Sequence, residues 1–120
     1  MENKVDKVLF NVRKRFLQRL AALVSRYTIF IELLRKGEVK QSVIDDTYTQ
    51  IHKTAGTASA FGFMELSEQS LALEIHLEAL SEGKNVDEHT KIILDNFDNY
   101  LSEIKRLVSK HLDINLDERT

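Results

Sequence analysis

His52 is the side chain in this 120-residue chain whose type and surroundings best suit chemistry. It stands in the segment IHKTAGTASAFGF, residues 51–63. Gly56 follows it by four residues and Gly62 by ten, and small residues fill most of the space between. Imidazole is a nucleophile and a proton carrier near neutral pH. A glycine four residues on lies one helical turn away on the same face. There it leaves the space beside the ring open, at a cost of about 0.5–1 kcal/mol relative to alanine. Residue types alone leave two readings standing. One is a presented nucleophile; the other is an ordinary surface histidine beside glycine and alanines that pack closely against another helix.

Other chemistries find no foothold in the sequence. Without cysteine there is no disulfide framework, zinc–thiolate site or thiol nucleophile. A di-iron bundle needs Glu-x-x-His pairs, but Thr49, Leu73, Val86 and Val108 stand three residues before the four histidines. His76, His89 and His111 read as scattered surface or helix-end residues. No P-loop pattern is present, so an autokinase would need a separate ATP-binding domain. A formal net charge of −2 argues against a nucleic-acid partner, despite the arginines early in the chain. No apolar run is long enough to span a bilayer, and MENKVDKVLF lacks the plan of a signal peptide. The expectation is a single cytoplasmic domain over residues 1–120, monomeric, with no cofactor or metal of its own.

The elements that must position His52 are helices. No proline and only four glycines interrupt the chain. Apolar residues at Val5, Val8, Leu9, Val12, Phe16, Leu20, Leu23, Tyr27, Phe30, Ile31 and Leu34 step by threes and fours, predicting a helix over 4–36 capped by Asn3. At 1.5 Å per residue it reaches about 45–50 Å, so either the other helices pack along it or one end projects. The second helix is expected over 43–61, capped by Ser42 and ended by Gly62, with a stripe of Ile44, Tyr48, Ile51, Ala55 and Ala58. The third is expected over 64–81 on Leu66, Leu73, Leu77 and Leu80, widened by Leu71 and Ile75, with an acidic outer side. The fourth is expected over 86–111, with Asn85 and Glu88 as a capping box and a polar tail from Asp113 onward. The basic side of the first helix and the acidic side of the third complement each other in this reading. Short loops then give an all-α, antiparallel up-and-down four-helix bundle with a long first helix, and dimerisation through its projecting part as the alternative.

Helical arithmetic orients the histidine. At about 100° per residue, with His52 at zero, the apolar stripe centres near about −85°. Gly56, Thr49 and Ala60 fall at about +40°, +60° and +80°. His52 is therefore expected at the margin of the buried face, open to solvent. Ala55, Ser59 and Ala60 would keep the surface beside it low.

His52, Gly56, Ala58 and Gly62 in HKTAGTASAFGF resemble the signature of histidine-phosphotransfer (HPt) domains of two-component phosphorelays. The following ELSEQSLALE looks like the start of that family's next helix, so the resemblance covers roughly residues 47–80. It implies that His52 accepts a phosphoryl group on Nε2 from the phospho-aspartate of a receiver domain and passes it to another receiver. The alternative is a helical adaptor that binds signalling domains without taking phosphate. Thr49, Lys53, Ala55, Gly56, Ser59 and Ala60 would form the supporting surface. The partners implied are response-regulator receivers and a hybrid sensor histidine kinase, with Mg²⁺ carried by the receiver. In one respect the sequence departs from the pattern. Many members carry lysine three residues after the histidine, where this chain has Ala55; Lys53 sits one after the histidine instead.

Overall fold

The computed structural model describes residues 4–112, so the Asn3 cap and the polar tail lie outside the described residues. Four helices account for nearly all of them: α1 Lys4–Lys36, α2 Gln41–Ala60, α3 Met64–Ser81 and α4 Val86–Leu112. Loops of three or four residues force each helix to run back beside the one before it, and the result is an all-α four-helix bundle. α2 packs closely on α3, α3 on α4, and α4 on α1, whereas α1 and α2 meet loosely. That looser seam runs beside His52.

The core is the set of stripes turned inward. Leu17, Leu20, Tyr27 and Phe30 of α1 meet Ile51 and Ala58 of α2, Leu66 and Leu77 of α3, and Ile93, Phe97, Ile104 and Val108 of α4. Tyr27 stands edge-on to Phe97 at 5.5 Å between ring centroids, and Phe97 stands edge-on to Tyr100 at 5.5 Å. Such aromatic pairs add about 0.5–1.5 kcal/mol each beyond the area they bury; the first binds α1 to α4 and the second stiffens the α4 side of that contact. Ser70 on α3 shares a 2.8 Å hydrogen bond with the buried Tyr100 hydroxyl.

The α2–α3 turn depends on Gly62, whose φ of +79° lies in the left-handed region that side chains with a Cβ avoid. The Phe63 amide returns to the Ala58 carbonyl and the Gly62 amide to that of Ser59, closing α2. Phe61 and Phe63 then sit on the Phe16 ring of α1, at 5.6 and 6.3 Å.

Several sequence expectations need correction. The buried face of α1 begins at Phe16, not Val5, and Val5, Val8, Leu9, Phe10 and Val12 are exposed. Leu112 and His111 border the same cleft as Phe10, Arg13 and Leu17, so the described end of α4 lies level with those residues, and α1 runs on past it. Leu71 and Ile75 do not widen the α3 stripe; both face outward. α2 begins at Gln41 after Lys40, with no side-chain cap, so Ser42 lies inside the helix. Asn85 precedes α4, but at φ +43° rather than in the extended backbone that a side-chain cap uses. The charges of α1 and α3 do not pair across the bundle, because the two helices sit diagonally. Instead Arg26 of α1 pairs with Asp46 of α2. His76 and His89 are not scattered: their Nδ1 atoms lie 2.9 Å apart between α3 and α4.

Candidate functional site

His52 projects from the middle of α2 with its side chain 62% exposed. Tyr48, one turn earlier, stacks on the ring at 6.0 Å. The other contact comes from α3, where Glu74 Oε1 lies 2.5 Å from His52 Nδ1. A carboxylate only accepts, so Nδ1 carries the proton in this pair, and in the neutral ring Nε2 keeps its lone pair. Glu74 is itself largely covered, at 17% exposure, so its position is set by packing rather than by solvent. The pair thus holds both the tautomer and the direction of the imidazole.

On the side of the loose α1–α2 seam, His52, Lys53, Gly56, Thr57, Ala60 and Phe61 line one shallow, open groove together with Arg19 of α1. Gly56 is exposed, and a Cβ built there meets nothing within 4 Å. The glycine therefore does not relieve crowding of the imidazole inside this molecule. What its missing side chain leaves clear is the approach from outside. Lys53 is exposed, while Thr57 is anchored by donating its hydroxyl to the Lys53 carbonyl at 3.0 Å. Charge divides around the ring. Burial first, then Glu78 and Glu74 of α3 and Glu82 just beyond its end, push the Tyr48 phenol upward, so the acidic groups lie on the Tyr48 side. The two cationic side chains lie in the groove.

The structure treats the remaining sequence candidates unequally. Ser59 is exposed on α2 but does not line the groove. Thr49 is exposed and donates its hydroxyl to the Asp45 carbonyl at 3.0 Å, away from the ring. Ala55 is buried, at 5% exposure, and presents almost no surface. It lies on the same inward face as Ile51 and Ala58, and its carbonyl accepts the Ser67 hydroxyl at 2.8 Å. That bond belongs to the α2–α3 register, as does the pair formed by His52 and Glu74. So do Gln41 and Asp45, both bonded to Ser81. The Ser81 bond is the main cause holding the Asp45 carboxyl below its ordinary range, with Gln41 second.

Sequence reasoning missed Glu74 and Arg19. A signal for Glu74 existed. His52 is ten residues before Gly62 and Glu74 twelve after, so an antiparallel hairpin turning at Gly62 brings them side by side. No comparable signal marks Arg19. A more enclosed cleft, of about 190 Å³, lies between α3 and α4 and is lined by Gln69, Leu73, His76, Ile92, Asn96 and Tyr100. Its one imidazole, His76, is half-buried and paired with His89, and a protein docking face is shallow, so enclosure does not favour it over His52. No group of three or more potential metal ligands occurs among the described residues, and none of their helices is long and apolar enough to cross a membrane.

Comparison of the chain with protein-family models, with curated proteins and with solved structures finds no match.

Proposed function

We propose that this protein is a phosphorelay intermediate that takes a phosphoryl group on His52 from a receiver-domain phospho-aspartate and gives it to a second receiver. One observation carries the reading: an exposed imidazole whose Nδ1 is held by Glu74, leaving Nε2 as the nucleophile beside an open groove. In the transfer, the Nε2 lone pair attacks phosphorus in line. The N–P bond forms as the P–O bond of the acyl phosphate breaks, and the aspartate leaves as a free carboxylate. The Nδ1 proton stays on the ring, and the positive charge it then carries is stabilised by Glu74 at 2.5 Å. Phosphoryl transfer asks a protein mainly for position and charge neutralisation. In this scheme the receiver and its Mg²⁺ provide much of the second, and the bundle provides the first. A hybrid sensor histidine kinase is the expected source of phosphate upstream. The chain itself needs no nucleotide site for this role, since the phosphoryl group arrives already activated.

The experiment mixes the purified protein with phosphorylated receivers and Mg²⁺ and looks for acid-labile phosphate on it. Label is expected on the wild type and absent from His52→Gln. Label that persists on His52→Gln sinks the assignment. No label with several competent receivers of the same organism favours a helical adaptor that binds signalling domains without accepting phosphate.

A further inference from the structure

Arg19 follows the apolar Phe16 by three residues and reads in the sequence as one of several solvated basic side chains on α1. The fold does not leave it there. Arg19 is half-buried in the α1–α2 groove, with its guanidinium carbon 5.5 Å from the centroid of the Phe16 ring. Its Nε and Nη2 are buried and have no hydrogen-bond partner. Arg26, two turns further along α1, bridges the same seam and is paired with Asp46. Buried N–H donors of a permanent cation are costly to leave without an acceptor. The groove they border holds His52 and no carboxylate among its lining residues.

We infer that Arg19 is the phosphoryl-binding cation of the His52 groove. The inference rests on the relay reading and adds to it the group that holds the transferred phosphate. A guanidinium keeps its charge at any working pH and offers its N–H donors as a planar fork matched to phosphate oxygens. The Phe16 ring beneath it restricts its motion. Position 55, the buried alanine, has no cation to offer, and Lys53 is a flexible point charge about 100° round α2 from His52. Arg19 reaches the groove from the neighbouring helix instead. It exchanges no proton in the reaction; its donors bond the non-bridging oxygens while the N–P bond forms and the P–O bond breaks. Arg19 and His52 line the same groove, so a phosphoryl group bound there offers acceptors to donors that are otherwise unpaired.

The test uses the full chain and phosphoramidate as a small phosphodonor, so that no receiver docking is involved, with ³¹P NMR of the product. Arg19→Met keeps the apolar stem that packs on Phe16 and removes the charge. Labelling of His52 is expected to slow by at least about tenfold in Arg19→Met, and to recover in part in Arg19→Lys. The phosphohistidine resonance is expected to move in Arg19→Met and hardly at all in Lys91→Gln, an exposed α4 lysine that does not line the groove. A merely structural role would leave that resonance in place. Wild-type labelling rate and resonance in Arg19→Met, with the unfolding transition retained, overturn the inference and leave the relay standing. If Arg19→Met does not fold, Arg19→Gln is read in its place, and a wild-type labelling rate and resonance in that variant overturn the inference. Label absent from the wild type, or retained on His52→Gln, overturns the relay reading and this inference with it.

Discussion

His52 and Glu74 fix between them which nitrogen of the ring is free. A free imidazole favours the tautomer with the proton on Nε2, so the carboxylate reverses the ordinary preference. ¹⁵N NMR of His52 is expected to show Nδ1 protonated in the wild type and a shift toward the Nε2–H form in Glu74→Ala. Phosphotransfer in that variant should fall by roughly tenfold, while stability changes by less than about 1 kcal/mol, as befits a pair with so exposed a ring. An unchanged tautomer in Glu74→Ala would remove the basis for assigning Nε2. Gly56 makes a second residue-scale prediction. Because an added methyl meets nothing within 4 Å, Gly56→Ala should stabilise α2 by about 0.5–1 kcal/mol, read as a raised urea midpoint. The same methyl stands in the path of an incoming receiver, so transfer from a phosphorylated receiver should slow while phosphoramidate labelling does not. Loss of stability in Gly56→Ala would mean that the helix is strained there.

At the scale of the element, the α2–α3 hairpin is what delivers Glu74 to His52. Its turn requires φ +79° at Gly62, a conformation that costs a residue bearing a Cβ about 1–2 kcal/mol. Gly62→Ala is therefore expected to lower stability by about that much, the opposite sign to the same substitution six residues earlier. The two glycines look alike in sequence and differ only in backbone conformation. Thermal unfolding of the two single variants beside the wild type checks both signs at once. Register is also secured away from the turn, where the Ser67 hydroxyl reaches the Ala55 carbonyl and Ser81 holds Asp45 and Gln41. Each helix was legible from apolar steps of three and four, since that period is a property of one helix alone. Ends were less so. The Ser42 cap failed because a cap residue needs extended backbone, which here falls at Lys40.

For the whole molecule, stability is tied to the two tyrosines at the centre of the bundle. Burial, opposed in part by Ser70 and Thr54, pushes the Tyr100 phenol up to about 12, and burial also raises that of Tyr27. Folded Tyr100 therefore keeps its proton where the unfolded chain, near 10, has lost it. That contribution is fully present below about pH 10 and is lost as pH rises from about 10 to 12. The urea midpoint should hold steady to about pH 9 and fall by pH 11, and Tyr100→Phe should fall less steeply. A midpoint that is flat across this range would show that the phenol reaches water. The loose α1–α2 seam belongs to this scale as well, for it is the tight α1–α4 aromatic packing that holds α1 in place and lets Arg19 line an open groove.

The sequence by itself determined four helices, the turn at Gly62, and His52 at the margin of a buried face with Gly56 above it. All of these are relations within one helix or one turn, where a few residues and a fixed period decide the geometry. Tertiary structure decided which nitrogen of His52 is free, that Arg19 of α1 lines its groove, that Ala55 is core, and that His76 meets His89. Those relations join residues from different helices, and they follow from the register of α2 on α3, the packing of α3 on α4 and the distance between α1 and α2, none of which an apolar stripe encodes.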